Sequence, residues 1–343
     1  MPLAKVRQVR SRVAQYSYYC ANCGEQLIVG DGLRFCDQCG HRLGEGRVYS
    51  LQFGPVVVHQ RLIPKKIWKA WGDYVLLDVL GDGGMGRVWR AMHKQSGQHF
   101  AIKLVHDNLT LRAGTARRFS QEAAQQRKIV HPNVVRIHDF VENKGVMGIV
   151  MELVDGPTLY DEMRSAVGGQ MKLDWAIWLG TQMALGLSVV HENGYVHADV
   201  KPGNFLMTRD RDRLMIADFG IARDLKAELT GSKKRLRAGT PGFMSPEQIR
   251  GDRLDGRSDV YSLGCVLYEM LSGRTVFAGN TAEVLDKGHL RNRPVPLAQI
   301  RPGIPSDLDE LIEEMLSKSR SDRPESARAV LDGLTMALKR SSS

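Results

Sequence analysis

Four cysteines, Cys20, Cys23, Cys36 and Cys39, form two C-x2-C pairs separated by twelve residues in the run YCANCGEQLIVGDGLRFCDQCGHRL. Two intervening residues let both sulfurs of a tight turn face one ion, and two such turns supply the four thiolates that structural Zn²⁺ prefers. Gly24 and Gly40 follow the pairs and can take the positive φ that closes such turns. The half-sites repeat as CGEQL and CGHRL. Two disulfides or another metal are the alternatives. Disulfides suit a secreted protein, yet the N-terminus MPLAKVRQVRSR has positive charge with no apolar segment behind it and does not read as a secretory signal. A closed four-thiolate site leaves no open position, so it is structural and not catalytic. His41 is then expected at the surface, outside a filled shell. The module's expected role is to recruit a protein partner or substrate, with nucleic-acid contact as the second reading.

A different chemistry begins at Tyr74. Strand-like runs YVLLDVL, GDGGMGRVWRAMH and QHFAIKLV follow one another, and the first two are joined through Gly81-x-Gly83-x-x-Gly86-x-Val88. Dinucleotide-binding turns share this glycine spacing, but in them a helix follows. Here Arg87, Val88, Trp89 and Arg90 continue as β-prone residues, and a third strand brings in Lys103. The pattern is a strand-turn-strand flap whose backbone N–H groups can approach phosphate oxygens, with a lysine to contact them.

From these residues onward the chain resembles the protein kinase family over residues 74 to 338, most closely the bacterial-type serine/threonine kinases, whose loops carry a GGMG run like that at 83–86. Residues 19–43 resemble a zinc ribbon. The resemblance implies an α+β bilobal protein kinase fold: a five-stranded antiparallel N-lobe sheet with a C helix, and a mainly helical C-lobe, preceded by the small zinc ribbon. The expected organisation is a basic arm over 1–18, the ribbon over 19–43, a linker over 44–73 and the kinase domain over 74–338. In the linker, Ile63, Ile67, Trp68 and Trp71 stand at near-helical spacing and are expected to pack on the next domain.

The family's residues carry over position by position. Lys103 in Ala101-Ile102-Lys103 would hold the α and β phosphates, and Glu122, in the helix TARRFSQEAAQQRKIV, would pair with it. Met151 would gate the back of the adenine pocket, and the backbone from Glu152 to Val154 would hydrogen-bond the base. Val88 and Ala101 would form the pocket's roof and Leu206 its floor. In VHADVKPGN (196–204) Asp199 would accept the proton of a substrate hydroxyl and Lys201 would neutralise the γ-phosphate. Asn204 and Asp218, of Asp218-Phe219-Gly220, would hold Mg²⁺. Lysine two positions after the aspartate is the family's serine/threonine pattern. The implied reaction is phosphoryl transfer from Mg-ATP to serine or threonine hydroxyls of a protein substrate, which rests on positioning and charge cancellation rather than covalent chemistry. A pseudokinase, or nucleotide-gated scaffold, is the rival.

Ala198 departs from the family, which has arginine between His197 and Asp199. Alanine cannot pair with a phosphorylated activation loop, so an active kinase whose loop order does not depend on that pairing is expected. Thr230, Ser232 and Thr240 are the hydroxyls of interest in the activation segment. Thr240 matches the threonine that bridges to the catalytic aspartate and lysine. The segment ends at Ser245-Pro246-Glu247, whose Glu247 is expected to pair with Arg323. Asp259 is expected to anchor the catalytic-loop backbone, with Ser258 capping the helix SDVYSLGCVLYEMLSG and Gly273 stopping it. Cys265 in this helix reads as a small core hydrophobe.

Composition fits a globular protein: 43% of the 343 residues are hydrophobic and 25% charged. The formal net charge of +10 is concentrated at the front, where residues 1–72 hold 11 Lys and Arg against 4 Asp and Glu. A solvated basic arm is the first reading of that bias. No run reaches the roughly 18 apolar residues of a membrane span; the best, WAIWLGTQMALGLSVV (175–190), reads as a buried core helix. A cytoplasmic location with reduced thiols is expected.

Overall fold

The computed structural model describes residues 18–19, 26–27, 69–83, 86–105, 126–143, 145–218 and 240–341. Two short antiparallel strands, β1 (Tyr18–Tyr19) and β2 (Gln26–Leu27), pair Tyr18 with Leu27. Cys20, Cys23, Cys36 and Cys39 lie outside the described residues, as does Glu122 with most of the expected C helix.

The N-lobe is an antiparallel sheet of six strands, not the expected five. Its strands are β3 (Lys69–Trp71), β4 (Tyr74–Gly83), β5 (Gly86–His93), β6 (His99–Val105), β7 (Ile137–Asn143) and β8 (Val146–Met151), in the order β3-β4-β5-β6-β8-β7. The additional strand comes from the end of the segment read as linker. Gly72 and Asp73 form the turn between β3 and β4, and Trp71 turns inward, only 4% exposed, among Tyr74, Leu76, Ala91, Phe100, Ile102 and Val150. Trp71 lies close against Gly148 of β8 and Gly72 close to Val141 of β7, so the sheet curls until its first strand meets its last two.

The C-lobe is built on two buried helices. After α1 (Leu159–Ser165), helix α2 (Leu173–Glu192) covers the run expected to be a core helix. It is also the one helix among the described residues that is long and apolar enough to cross a membrane, and it is packed in the core through Ile177, Leu179, Met183, Leu187 and Val190. The hairpin of β9 (Phe205–Met207) and β10 (Leu214–Ile216) lies against it. Then come α3 (Pro246–Arg250), α4 (Gly256–Ser272), a π-helical turn (Glu283–His289), α5 (Leu297–Ile300), α6 (Ser306–Met315) and α7 (Ala327–Ser341).

Helix α4 stops at Gly273 as expected, with φ 72° in the left-handed region. Its cap is not Ser258. Asp255 accepts the Arg257 N–H at the N-terminus, and Ser258, a turn inside, instead donates its hydroxyl to Glu247 Oε1 at 2.6 Å. Cys265 is buried in α4, which pushes its thiol pKa up to about 12; it is inert packing, as expected.

Candidate active site

A hairpin assembles the charged residues. Asn204 immediately precedes β9 and Ala217-Asp218 immediately follow β10. The register Phe205 to Ile216 sets the two ends side by side, with the Ala217 N–H donating to Asn204 O at 2.9 Å. Residues distant in sequence are thereby fixed next to one another. Asn204 Nδ2 donates to Asp199 O at 2.8 Å and to Asp199 Oδ2 at 3.3 Å, and Lys201 Nζ lies 2.7 Å from the same Oδ2. His197 is 2% exposed; its Nδ1 accepts the Asp199 N–H, leaving Nε2 to donate to Ala217 O at 2.9 Å. This ring ties the loop bearing Asp199 to the strand end bearing Asp218.

The N-lobe supplies the remaining cation. Lys103 sits on β6 opposite Val88 of β5 and Ile149 of β8, and its Nζ lies 2.8 Å from Asp218 Oδ1. Burial opposes charge on Asp218, but the ion pair and hydrogen bond from Lys103, with His197 and Lys201 nearby, outweigh it and hold this carboxyl below the ordinary carboxylate range. Asp218 has φ 62° and Ala198 φ 60°, left-handed conformations uncommon outside glycine and concentrated at functional sites.

Next to Lys103 on the sheet, across from it at Val88, lies the glycine hairpin, in which Gly83 pairs with Gly86 and Gly81 with Val88. At Gly86 a Cβ would run into Leu104 O, so only glycine lets β5 approach β6 there. Beside it, Val88, Ala101, Met151, Leu153, Val154, Leu206, Met215 and Ala217 make one apolar cluster drawn from both lobes. The expected roof, gate and floor residues thus meet. The Glu152 N–H is used by Arg136 O at 2.8 Å. Among the described residues Val154 N–H has no such partner and is available to a ligand's edge.

Three anchors complete the site. Asp259 of α4 accepts the backbone N–H groups of His197 and Ala198 at 2.7 and 2.8 Å. Arg323 makes a two-pronged pair with Glu247 at 2.8 and 3.0 Å, both side chains almost wholly buried. Thr240 Oγ1 reaches to 3.5 Å from Asp199 Oδ1, a long contact that puts Thr240 beside the loop bearing Asp199. Gln248 is a residue that sequence reasoning missed: its Nε2 donates to Ala198 O at 2.7 Å while its Oε1 accepts the Ser245 N–H. The signal was a Ser-x-x-Gln capping box after the activation segment. Thr230 and Ser232 lie outside the described residues.

The residues present suit a magnesium nucleotide. Two carboxylates and an amide are the hard oxygen donors Mg²⁺ takes, two lysines flank them, and an apolar slot lies alongside. A bilobal fold with this arrangement defines a protein kinase. The protein kinase domain model matches residues 74–333, and the chain belongs to that family. It is 37% identical to serine/threonine-protein kinase pkn2 of Myxococcus xanthus over 272 residues, 78% of this chain and 32% of that one. It is 36% identical to serine/threonine-protein kinase PknB of Mycobacterium leprae over 258 residues, 74% of this chain and 41% of that one. The chain therefore spans well under half the length of these relatives. A crystal structure of the Mycobacterium tuberculosis PknI kinase domain superposes with a TM-score of 0.62 at 24% identity, covering 79% of this chain and 98% of that one, a likeness of fold.

Proposed function

We propose that this chain transfers the γ-phosphoryl group of ATP to serine or threonine hydroxyls of protein substrates. The observation that carries the proposal is the convergence of Asp199, Lys201, Asn204 and Asp218 with Lys103 across the lobes. Asp199 orients the acceptor hydroxyl and takes its proton as the new O–P bond forms and the bond to ADP breaks. Lys201, now held by Asp199, turns to the transferring phosphoryl group, and Lys103 to the α and β phosphates. Mg²⁺, held through Asn204 and Asp218, would supply cancellation of the phosphate charge. Val88, Ala101 and Leu206 clasp the base, with Met151 behind it and the Glu152–Val154 backbone at its edge. The relatives named as serine/threonine kinases support the choice of acceptor.

Ala198 supports a second part of the proposal: the kinase is active without a loop phosphate paired beside Asp199. The four-cysteine cluster binds one structural Zn²⁺ and recruits a protein partner, in the cytoplasm, where thiols stay reduced and ATP is at hand. Metal analysis of the full chain should return one zinc, lost in Cys20→Ser. Transfer from labelled ATP to the chain itself or to a basic protein should occur, and should vanish in Asp199→Asn. A wild-type chain that binds ATP without transferring it would instead support the pseudokinase reading.

A further inference from the structure

The peptide unit between Ala198 and Asp199 governs where the Asp199 carboxyl points, because a peptide is planar and tilting it swings the next Cα–Cβ bond. Both of its polar groups are engaged. Its N–H donates to His197 Nδ1 at 3.2 Å, and its C=O accepts from Gln248 Nε2 at 2.7 Å, the shorter of the two. Ala198 is buried and left-handed at φ 60°, a conformation that a non-glycine residue keeps only where its surroundings impose it. Its methyl offers no polar contact, so the turn is imposed through the backbone: Asp259 takes the N–H of Ala198 and Gln248 the C=O.

Gln248 is itself firmly placed. It is buried in α3, with its Oε1 accepting the Ser245 N–H at 2.9 Å. A backbone N–H only donates and a backbone C=O only accepts, so these two partners fix the orientation of the amide. The helix that carries it is pinned to α4. Next to Gln248, Glu247 is bound by Ser258 and Arg323, and shortly before it Phe243 O accepts the Ser262 hydroxyl at 2.7 Å. One side chain thus joins the end of the activation segment to the peptide that carries Asp199.

We propose that Gln248 is a positioning residue for phosphoryl transfer: by holding Ala198 O it aims the Asp199 carboxyl, and it makes that aim depend on the docking of α3. The inference rests on the kinase reading above. Neither Ala198 nor Gln248 belongs to the apolar slot. The effect therefore falls on the transfer step and leaves nucleotide binding alone.

The test is steady-state transfer from labelled ATP to myelin basic protein by the full chain carrying Gln248→Glu. That variant keeps a Ser-x-x-Glu capping box and the acceptor for the Ser245 N–H, but an ionised carboxylate cannot donate to Ala198 O. At about pH 8 kcat should fall by about ten- to a hundredfold, the scale of a misplaced catalytic group, with KM for ATP within about twofold. Burial, the facing carbonyl and the acids Asp199 and Asp259 on the same turn push the new carboxyl's pKa up, while Arg323 is committed to Glu247. Once protonated, the acid donates to Ala198 O as the amide does, so the ratio of variant to wild-type kcat should climb as pH falls to about 6. Gln248→Met, which has no donor at any pH, should stay low throughout. A Gln248→Glu kcat at the wild-type level at the higher pH, or a deficit that responds to pH no more than that of Gln248→Met, would overturn the inference. If the methionine variant does not fold, the pH response of the glutamate variant decides alone. A wild-type chain with no transfer to any acceptor would overturn the kinase reading itself.

Discussion

Asp259 Oδ1 accepts the Ala198 backbone N–H at 2.8 Å, and its other oxygen accepts that of His197 while lying 2.8 Å from His191 Nε2. At the position where the family places arginine, this chain uses backbone on both sides: Ala198 N–H to Asp259, Ala198 O to Gln248. The residue is 7% exposed and left-handed. Its role is to carry the turn that presents Asp199. Asp259→Ala would strand two buried N–H donors and let that turn shift. Displacement of about 1 Å at a catalytic group costs on the order of a hundredfold, so kcat should fall by about that much. Nucleotide affinity measured by calorimetry should hold, because neither donor faces the apolar slot.

Loop phosphorylation is the second place to test Ala198. Replacing Thr230 and Ser232 together by alanine should leave turnover largely intact. A fall above about a hundredfold, ~2.7 kcal/mol in barrier, would show that another cation has taken over the arginine's task.

Arg323 and Glu247 form a fully buried pair, and such a pair broken on one side costs about 3–5 kcal/mol. Arg323→Leu should lower the unfolding free energy by that amount, and adding Glu247→Leu should restore part of it. Burial raises the Glu247 pKa, but Arg323 and the Ser258 hydroxyl outweigh it, and the carboxyl ends below its ordinary value. A depressed folded pKa contributes stability present above the unfolded value and lost as pH falls through the folded one. Wild-type unfolding free energy should therefore drop as pH falls below the ordinary glutamate range, and Arg323→Leu should flatten that drop.

Trp71 gives a prediction about the N-lobe. Trp71→Ala should cost about 3–5 kcal/mol, as for other large buried aromatics. Gly148→Ala would press a Cβ into the Trp71 ring and should cost about 1–3 kcal/mol through overpacking. Combined, the two should be less than additive in thermal or denaturant unfolding, since the indole that clashes is gone.

The polar machinery was legible because its chemistry demands fixed residue types at fixed spacing: Lys103, Asp199, Asn204, Asp218, Asp259, Glu247 and Arg323 lie where their motifs put them. Packing was less legible. A three-residue strand such as Lys69–Trp71 is too short to show alternation, and its tryptophan fits the helical spacing of Ile63 and Ile67 equally well. The cap of α4 was misassigned because Asp255 and Ser258 both suit an N-terminus, and only the position of Glu247 decides which one is drawn elsewhere.

Strand β3 has a mechanical consequence. It hydrogen-bonds along β4, the strand that ends in the glycine hairpin, and Trp71 packs it against β8 across the curled sheet. A pull on the chain ahead of Lys69 would therefore load the strand beside the one that carries the glycine hairpin, which joins the front of the chain to the proposed nucleotide site.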